Sequence, residues 1–219
     1  MRTKLPQLPH ALLPCEGEEL ADLLTACRQE ERDIENYHIK DAVLAKADLA
    51  GLNFHHCLLE NCRLIDCTGE RAAFVDAVFR RCDLSNSSFG SGYFHRCEFI
   101  SCKGLGTDFH HSAFKQILIE DSNFRYANLD ESKLEYAEIK ESDFSSAIIS
   151  NCRLMDFHAL NTRLDGVVFF RTALKGIDLS ENQIEGISVS DSAYELRGAV
   201  ISPWQAIELA RIFGLVIKN

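Results

Sequence analysis

The side chains best suited to metal binding or redox chemistry in this 219-residue sequence are its nine cysteines and eight histidines. Cysteines in such numbers suggest disulfides in a secreted protein, or a metal site. Most of them, however, recur at one position of a five-residue pattern, namely Cys57, Cys62, Cys67, Cys82, Cys97, Cys102 and Cys152. Side chains stacked in parallel suit neither disulfide geometry nor a tetrahedral zinc site. We therefore expect small buried side chains in a core, and no metal or other cofactor.

The histidines include two adjacent pairs, His55-His56 and His110-His111. Neither pair has a third and a fourth ligand clustered near it in the sequence, as a zinc site requires. We expect these histidines to lie on the solvated surface, with metal binding as the weaker alternative.

Carboxylates are the remaining abundant chemical groups, and they give the chain a formal net charge of −10. They could act as acid and base in an enzyme, provided that a pocket shifts their pKa values. They could equally form an acidic surface for a basic partner. The choice between the two depends on the elements that carry them.

Those elements follow a strict period of five residues, which is clearest between residues 109 and 144. Large apolar residues recur at every fifth position there, and mostly small residues stand two positions before them. Between His38 and Leu196 no charged residue occupies either position, and no proline occurs. Helices repeat at 3.6 residues and strands at 2, so neither element by itself explains this period.

Segments such as Ala47-Asp48-Leu49, Ala127-Asn128-Leu129 and Ser142-Asp143-Phe144 resemble the pentapeptide-repeat family. The resemblance implies an all-β solenoid, the right-handed quadrilateral β-helix, with four pentapeptides to a coil. We place this solenoid at residues 34–200. Coils of 20 residues would stack Phe54, Phe74, Phe94 and Phe114 in one column. Gly69 and Gly104 interrupt the large apolar positions and could mark local bulges.

The two ends of the chain read as capping α-helices, which solenoids need for solubility. Residues 1–33 form an N-terminal extension and a helix with Leu20, Leu23, Leu24 and Cys27 on one face. Residues 201–219 form a C-terminal helix and a short strand. Ser202 and Gln205 fit a capping box at the start of that helix, and Gly214 fits its end.

Outward-facing carboxylates concentrate on two opposite sides of the predicted rod. The first acidic face, centred on Ile39, Phe79, Phe99, Ile119 and Ile139, carries Glu98, Glu120, Asp121, Glu138 and Glu141 among its acids. The second acidic face, centred on Leu49, Phe89, Phe109 and Leu129, carries Asp108, Asp130 and Glu131. The Phe94 face and the Phe124 face, named for one central residue each, are close to balance. We predict that the acidic faces bind a partner.

The C-terminal tail is apolar around most of its circumference, which is more than capping one coil would bury. The expected dimerisation residues are Trp204, Ile207, Ile212 and Phe213, with Leu215, Val216 and Ile217 as a strand that crosses to a second subunit. Through Arg197-Gly198-Ala199, Gln205, Leu209 and Gly214 the tail resembles that of the Qnr and MfpA group. This resemblance implies a homodimer that binds DNA gyrase and topoisomerase IV by mimicry of duplex DNA. It further implies protection against quinolones and no direct binding of nucleic acid.

A structural, adaptor or immunity protein with an unrelated partner remains open as an alternative function. An enzyme is the weaker interpretation, because uniform five-residue edges without long loops build no pocket. The absence of a long apolar run argues against a membrane span. Three prolines interrupt any signal-peptide core near the N-terminus, so we expect a cytoplasmic protein.

Overall fold

The chain folds into a β-solenoid of about seven turns with two α-helices and one short 3₁₀ helix, in a computed structural model that describes residues 5–217. All strand pairs are parallel. The strands are β1 Leu13–Glu16, β2 Ile34–Glu35, β3 Tyr37–Lys40, β4 Val43–Ala45, β5 Asn53–His55, β6 Leu58–Glu60, β7 Arg63–Ile65, β8 Ala73–Val75, β9 Val78–Arg80, β10 Tyr93–Ile100, β11 Ala113–Glu120, β12 Lys133–Lys140 and β13 Arg153–Leu160. The helices are α1 Leu20–Gln29, the short 3₁₀ helix η1 Tyr194–Leu196 and α2 Pro203–Ile212.

The strand register shows the predicted coil of 20 residues, since Phe74 pairs with Phe94 and Phe94 pairs with Phe114. One sheet runs through β1, β3, β6 and β9 to β13, and a smaller sheet pairs β4 with β7. Each strand from β10 to β13 covers both the Phe94 face and the first acidic face. These two faces therefore share a continuous, bent sheet.

The bends between faces lie two residues after each large apolar residue. At these positions ordinary residues adopt left-handed backbone angles, for example Asp121 at φ 50°, Glu131 at φ 58° and Glu141 at φ 48°. Residues other than glycine seldom adopt these backbone angles, and Asn and Asp tolerate them best. The repetition of one such residue in nearly every pentapeptide turns the chain from one face to the next.

The interior is filled by the predicted column of stacked rings. Ring centroids are 4.7 Å apart between Phe54 and Phe74, 5.3 Å between Phe74 and Phe94, and 4.8 Å between Phe94 and Phe114. These separations follow the spacing of hydrogen-bonded strands. Offset stacking of this kind adds stability beyond the burial of apolar area.

Gly69 and Gly104 mark no bulge, so that expectation is wrong. The ladder continues through both, with Thr68 opposite Ser88 and Lys103 opposite Asn123. A Cβ atom added to Gly69 would come within 2.5 Å of the Phe89 ring, and one on Gly104 within 2.4 Å of the Phe124 ring. The glycines give room to the phenylalanine of the next coil.

The small inner residues also bridge the coils by hydrogen bonds. The hydroxyl of Ser112 donates to the carbonyl of Phe89 at 2.9 Å and accepts from the amide of Gly92 at 3.0 Å. The thiol of Cys97 donates to the carbonyl of Phe74 at 3.2 Å. These bonds satisfy polar groups inside the rod, where an unpaired group would be costly.

The N-terminal end is covered by α1, which buries Leu20, Leu24 and Cys27. It is also covered by β1, which pairs with β3 and which the sequence did not predict. The amide of Gln7 donates to the carboxylate of Asp76 at 2.8 Å, so the lead-in segment is fixed to the side of the solenoid. No helix in residues 5–217 is long and apolar enough to cross a membrane.

The C-terminal end is covered by η1 and α2. Ser202 and Gln205 form the predicted capping box, and Gly214 adopts φ +71° after the helix. Gln205 and Leu209 are the buried residues of α2. Residues 215–217 form no strand within the single chain. Their expected pairing with a second subunit therefore stays a prediction, and residues 218 and 219 lie outside the described part of the chain.

Candidate protein-binding faces

The cysteines occupy the core, as predicted. All nine are free and buried. Burial raises the pKa of the Cys57 thiol to about 11 and that of the Cys97 thiol to about 12. Thiols with such pKa values are protonated at neutral pH and therefore poor nucleophiles and poor metal ligands.

The paired histidines lie at the surface, each beside a carboxylate. His55 Nε2 is 3.5 Å from Asp33, and His111 Nδ1 is 3.2 Å from Glu131. Within residues 5–217 no three His, Cys, Asp or Glu side chains are grouped so that they could hold a metal ion. We therefore assign these histidines to local pairing with acids.

The first acidic face is a flat strip of parallel strands with its carboxylates close together. Glu98 and Glu138 are both registered opposite Leu118, one on each side, while Glu120 lies between Ile100 and Lys140. Neighbouring strands are about 4.8 Å apart. Asp121 and Glu141 stand on the left-handed corner at the edge of this strip. All five predicted residues thus lie within three adjacent coils of one face.

Few cations neutralise this strip. Glu138 lies 2.9 Å from Lys140, and Asp121 accepts a hydrogen bond of 2.8 Å from the neutral hydroxyl of Ser101. Among the described residues, no ion pair is formed by Glu98, Glu120 or Glu141. In the part of the chain that the structure describes, four of the five carboxylates of the strip therefore have no bound counter-charge, and Glu138 is the exception.

Glu98 lies between two apolar residues of the strip, Leu118 in the next coil and Val78 in the preceding one. Burial raises the pKa of Glu98, and the like charge of Glu120 adds to this, while Arg80 opposes it. Such a carboxylate gains more from a cation than a fully hydrated one does, because its own hydration is already reduced. The strip thus combines apolar surface with carboxylates that favour a basic partner.

The second acidic face differs, because its carboxylates are paired within the protein. Asp108 accepts from the ring of His110 at 3.0 Å and from the amide of Asn128 at 2.9 Å. Asp130 accepts from Asn151 at 2.9 Å, and Glu131 faces His111. The sequence could not distinguish the two faces, since these partners come from other coils or from the same corner.

The tail exposes most of the predicted dimerisation residues. Trp204 is 80% exposed and Val216 is 90% exposed. The other exposed residues of the predicted set are Ile212, Phe213, Leu215 and Ile217, while Ile207 is partly buried. So many exposed large apolar side chains in one short segment are unusual for a monomeric protein. One polar residue of α2, Gln205, is buried and points into the solenoid.

Two polar residues have roles that the sequence pattern did not reveal. The side-chain amide of Gln205 donates to the carbonyls of Leu179 and Asn182, at 2.7 Å each. The carboxylate of Glu195 is fully buried and accepts from the amide of Arg171 at 2.9 Å and from the hydroxyl of Ser190 at 2.8 Å. Both side chains satisfy backbone groups that the end of a solenoid leaves unpaired. Tyr194, placed inward by the five-residue pattern, is exposed instead, because η1 breaks the pattern there.

Comparison with known proteins supports the same fold. Residues 47–86 match a family model of pentapeptide repeats, and residues 72–147 match a model of a pentapeptide repeat region. Among solved structures, a trypsin-treated variant of QnrB1, a plasmid-mediated fluoroquinolone resistance protein, is 24% identical with a TM-score of 0.51, over 85% of this chain and 90% of that one.

A second similar structure is HetL from Nostoc sp. strain PCC 7120, a pentapeptide repeat protein involved in heterocyst differentiation regulation. It is 12% identical with a TM-score of 0.40, over 85% of this chain and 92% of that one. No curated protein matches the sequence. The five-residue register, the four-sided coil and the two family models agree, and the chain belongs to the pentapeptide-repeat family.

Proposed function

We propose that this protein is a non-enzymatic binding protein that occupies the DNA-binding surface of DNA gyrase or topoisomerase IV, and so modulates the sensitivity of these enzymes to quinolones. The observation that carries the proposal is the first acidic face, a flat strip of carboxylates with few bound cations. Duplex DNA presents one negative charge per roughly 1.7 Å of its axis. A narrow acidic rod suits the same basic surface.

The choice of target comes from the similarity to the Qnr and MfpA group in the C-terminal tail. The fold shared with QnrB1, a fluoroquinolone resistance protein, agrees with that choice. The first acidic face is the better candidate for the contact. Its carboxylates are available to a partner, whereas those of the second acidic face would first have to leave His110, Asn128, Asn151 and His111.

The test is displacement of a labelled DNA duplex from purified gyrase, at several salt concentrations. The wild-type protein should displace the duplex, and less so as salt rises, because exposed charges are screened. A variant with Glu120, Asp121, Glu138 and Glu141 all changed to Lys should need about 100-fold more protein. The reason is that four exposed ion pairs with gyrase, worth roughly 0.2–1 kcal/mol each, are replaced by repulsions between like charges.

Glu70 and Asp191 belong to the second acidic face as well, because they follow its inward positions Gly69 and Val189 in the five-residue register. The matched control carries the same number of reversals on this face, at Glu70, Asp130, Glu131 and Asp191. This control should displace the duplex with nearly wild-type strength, which would separate recognition by one face from a general effect of net charge. If both variants compete as well as the parent, charge is not the recognition element. If the wild-type protein does not bind either topoisomerase, the proposed target is wrong, and a structural, adaptor or immunity role takes its place.

We also propose that the functional form is a homodimer formed by the C-terminal tail. The support is the exposed apolar surface that Trp204, Phe213 and residues 215–217 form beyond the part of α2 that caps the solenoid. Burial of apolar area at about 25 cal/mol per Å² is the driving force.

Sedimentation of full-length protein should give a dimer, and Trp204→Glu combined with Val216→Glu should give a folded monomer. Both side chains point into solvent in the single chain, so the circular dichroism spectrum should not change. A full-length protein that sediments as a monomer at high micromolar concentration would exclude this dimer.

A further inference from the structure

The Phe94 face is balanced in charge only when it is considered along its whole length. Its N-terminal end carries Asp33 and Glu35, whereas its C-terminal half carries cations. We define the basic patch as Lys115, Lys133, Arg153 and Lys175, all of which are exposed. Within the described residues, none of the four lies in an ion pair with a carboxylate.

The register fixes the shape of the basic patch. Lys133 is directly opposite Arg153 on the neighbouring strand. Lys115 lies on the preceding strand, opposite Glu135, which is two residues after Lys133. Lys175 follows one 20-residue coil after Met155. Three strand spacings separate the first coil of the patch from the last, which is about 14 Å. The cations thus form an arc around Glu135 and Met155.

The basic patch is a positive island on a protein of net charge −10. Its four cations outnumber the three carboxylates within the patch and at its corners, Glu131, Glu135 and Asp156. Cations without internal partners, adjacent to one another across a sheet, repel each other in the free protein. An anionic partner removes that repulsion, so charge complementarity defines the chemistry of what binds here.

The size of the basic patch decides between anionic partners. A duplex would extend beyond it and meet the acidic residues at the N-terminal end of the same face and on the adjoining first acidic face. An extended peptide rises about 3.3 Å per residue, and alternate side chains point the same way. About five residues therefore span the patch, with carboxylates reaching the cations.

Met155 and Tyr93 add apolar surface next to the cations. Met155 contacts the guanidinium of Arg153 through its sulfur, at 3.6 Å. The ring of Tyr93 is 41% exposed. We propose that the basic patch docks a short, extended acidic segment of a partner protein, in which an apolar residue accompanies the carboxylates. This proposal is independent of the topoisomerase target.

The test uses the full-length protein and a fluorescein-labelled octaglutamate peptide, with binding measured by fluorescence anisotropy at low ionic strength. Saturable binding is expected for the wild type. Lys133→Glu combined with Arg153→Glu should weaken it about tenfold or more, because two attractions become repulsions. The control pair, Lys46→Glu with Arg63→Glu, changes net charge equally on the Phe124 face and should retain binding.

A labelled DNA duplex serves as the competing probe and should bind more weakly than the peptide. The proposal is overturned if the wild type does not bind octaglutamate, if the two double variants weaken binding equally, or if the duplex binds more tightly with the same dependence on Lys133 and Arg153. Thermal unfolding followed by circular dichroism verifies that each variant is folded. If the variant with Lys133→Glu and Arg153→Glu does not fold, Lys133→Ala with Arg153→Ala provides the same comparison.

Discussion

Replacement of Phe94 by alanine tests the stacked core most directly. The ring is 1% exposed and lies between Phe74 and Phe114, with centroid distances of 5.3 Å and 4.8 Å. It also meets Phe89 and Phe109 edge-on. Truncation of a buried Phe costs about 3–5 kcal/mol, and the cost rises with the cavity that remains. Ladder hydrogen bonds fix the backbone of the residues that carry the neighbouring rings. The cavity therefore cannot collapse, and we expect a cost in the upper half of this range.

The measurement is urea unfolding, followed by circular dichroism and by the fluorescence of Trp204, the single tryptophan. Coincidence of the two transitions justifies a two-state free energy, which solenoids do not always allow. Tyr93→Ala is the matched control, because this neighbouring aromatic residue points outward and should cost less than about 1 kcal/mol. If Phe94→Ala costs no more than Tyr93→Ala, the assignment of Phe94 to an inward position is incorrect.

Two further predictions concern residues that the structure explains and the sequence did not. Burial alone would raise the pKa of Glu195, but hydrogen bonds from its own backbone amide, from Arg171 and from Ser190 lower it overall. Its stabilisation is therefore complete above pH 4.5, the ordinary value for Glu, and is lost as the pH falls through the lower folded value. Glu195→Gln should cost about 1.5–3 kcal/mol at pH 7, and the difference from wild type in urea unfolding should shrink below pH 4.5. A difference independent of pH would contradict this account. Gly104→Ala should cost about 1–3 kcal/mol, because the added Cβ meets the ring of Phe124. Thermal unfolding should show partial recovery when Phe124→Leu is added, and no recovery would exclude the clash as the cause.

The inward positions of the fold could be predicted from the sequence because packing constrains them strongly. A charge at such a position would be buried without a partner, so its absence from His38 to Leu196 reveals the register. The role of Gly69 and Gly104 could not be predicted, since a gap in the pattern looks the same whether a bulge or a neighbouring ring accounts for it. The ring that fills the space lies 20 residues further along the chain.

The left-handed corners do leave a signal in the sequence. Asn36, Asp41, Asn61, Asp66 and Asn86 all stand at these positions, and Gly51 and Gly106 do as well. This composition is typical of left-handed backbone. Glu195 left no comparable signal. Its burial depends on η1, where the pattern of five ends and the unpaired amides of the last coil need an acceptor.

The two acidic faces show how far a surface can be interpreted from composition alone. Both faces carry clustered carboxylates in the sequence, but hydrogen bonds to other coils decide which of these carboxylates are available. On the second acidic face, Asp108 has two side-chain donors and Asp130 has Asn151, so these groups stabilise the coils that they join.

On the first acidic face, Glu98, Glu120 and Glu141 have no such function in the free protein. Glu98 and Glu120 are diagonal neighbours across the ladder, and their like charges repel each other in the free protein. A basic partner removes that repulsion when it binds, so the same carboxylates that weaken the free rod strengthen the complex. In a repeat whose inward positions are fully engaged in packing, the outward charges are the part of the pentapeptide that is free to specify a partner.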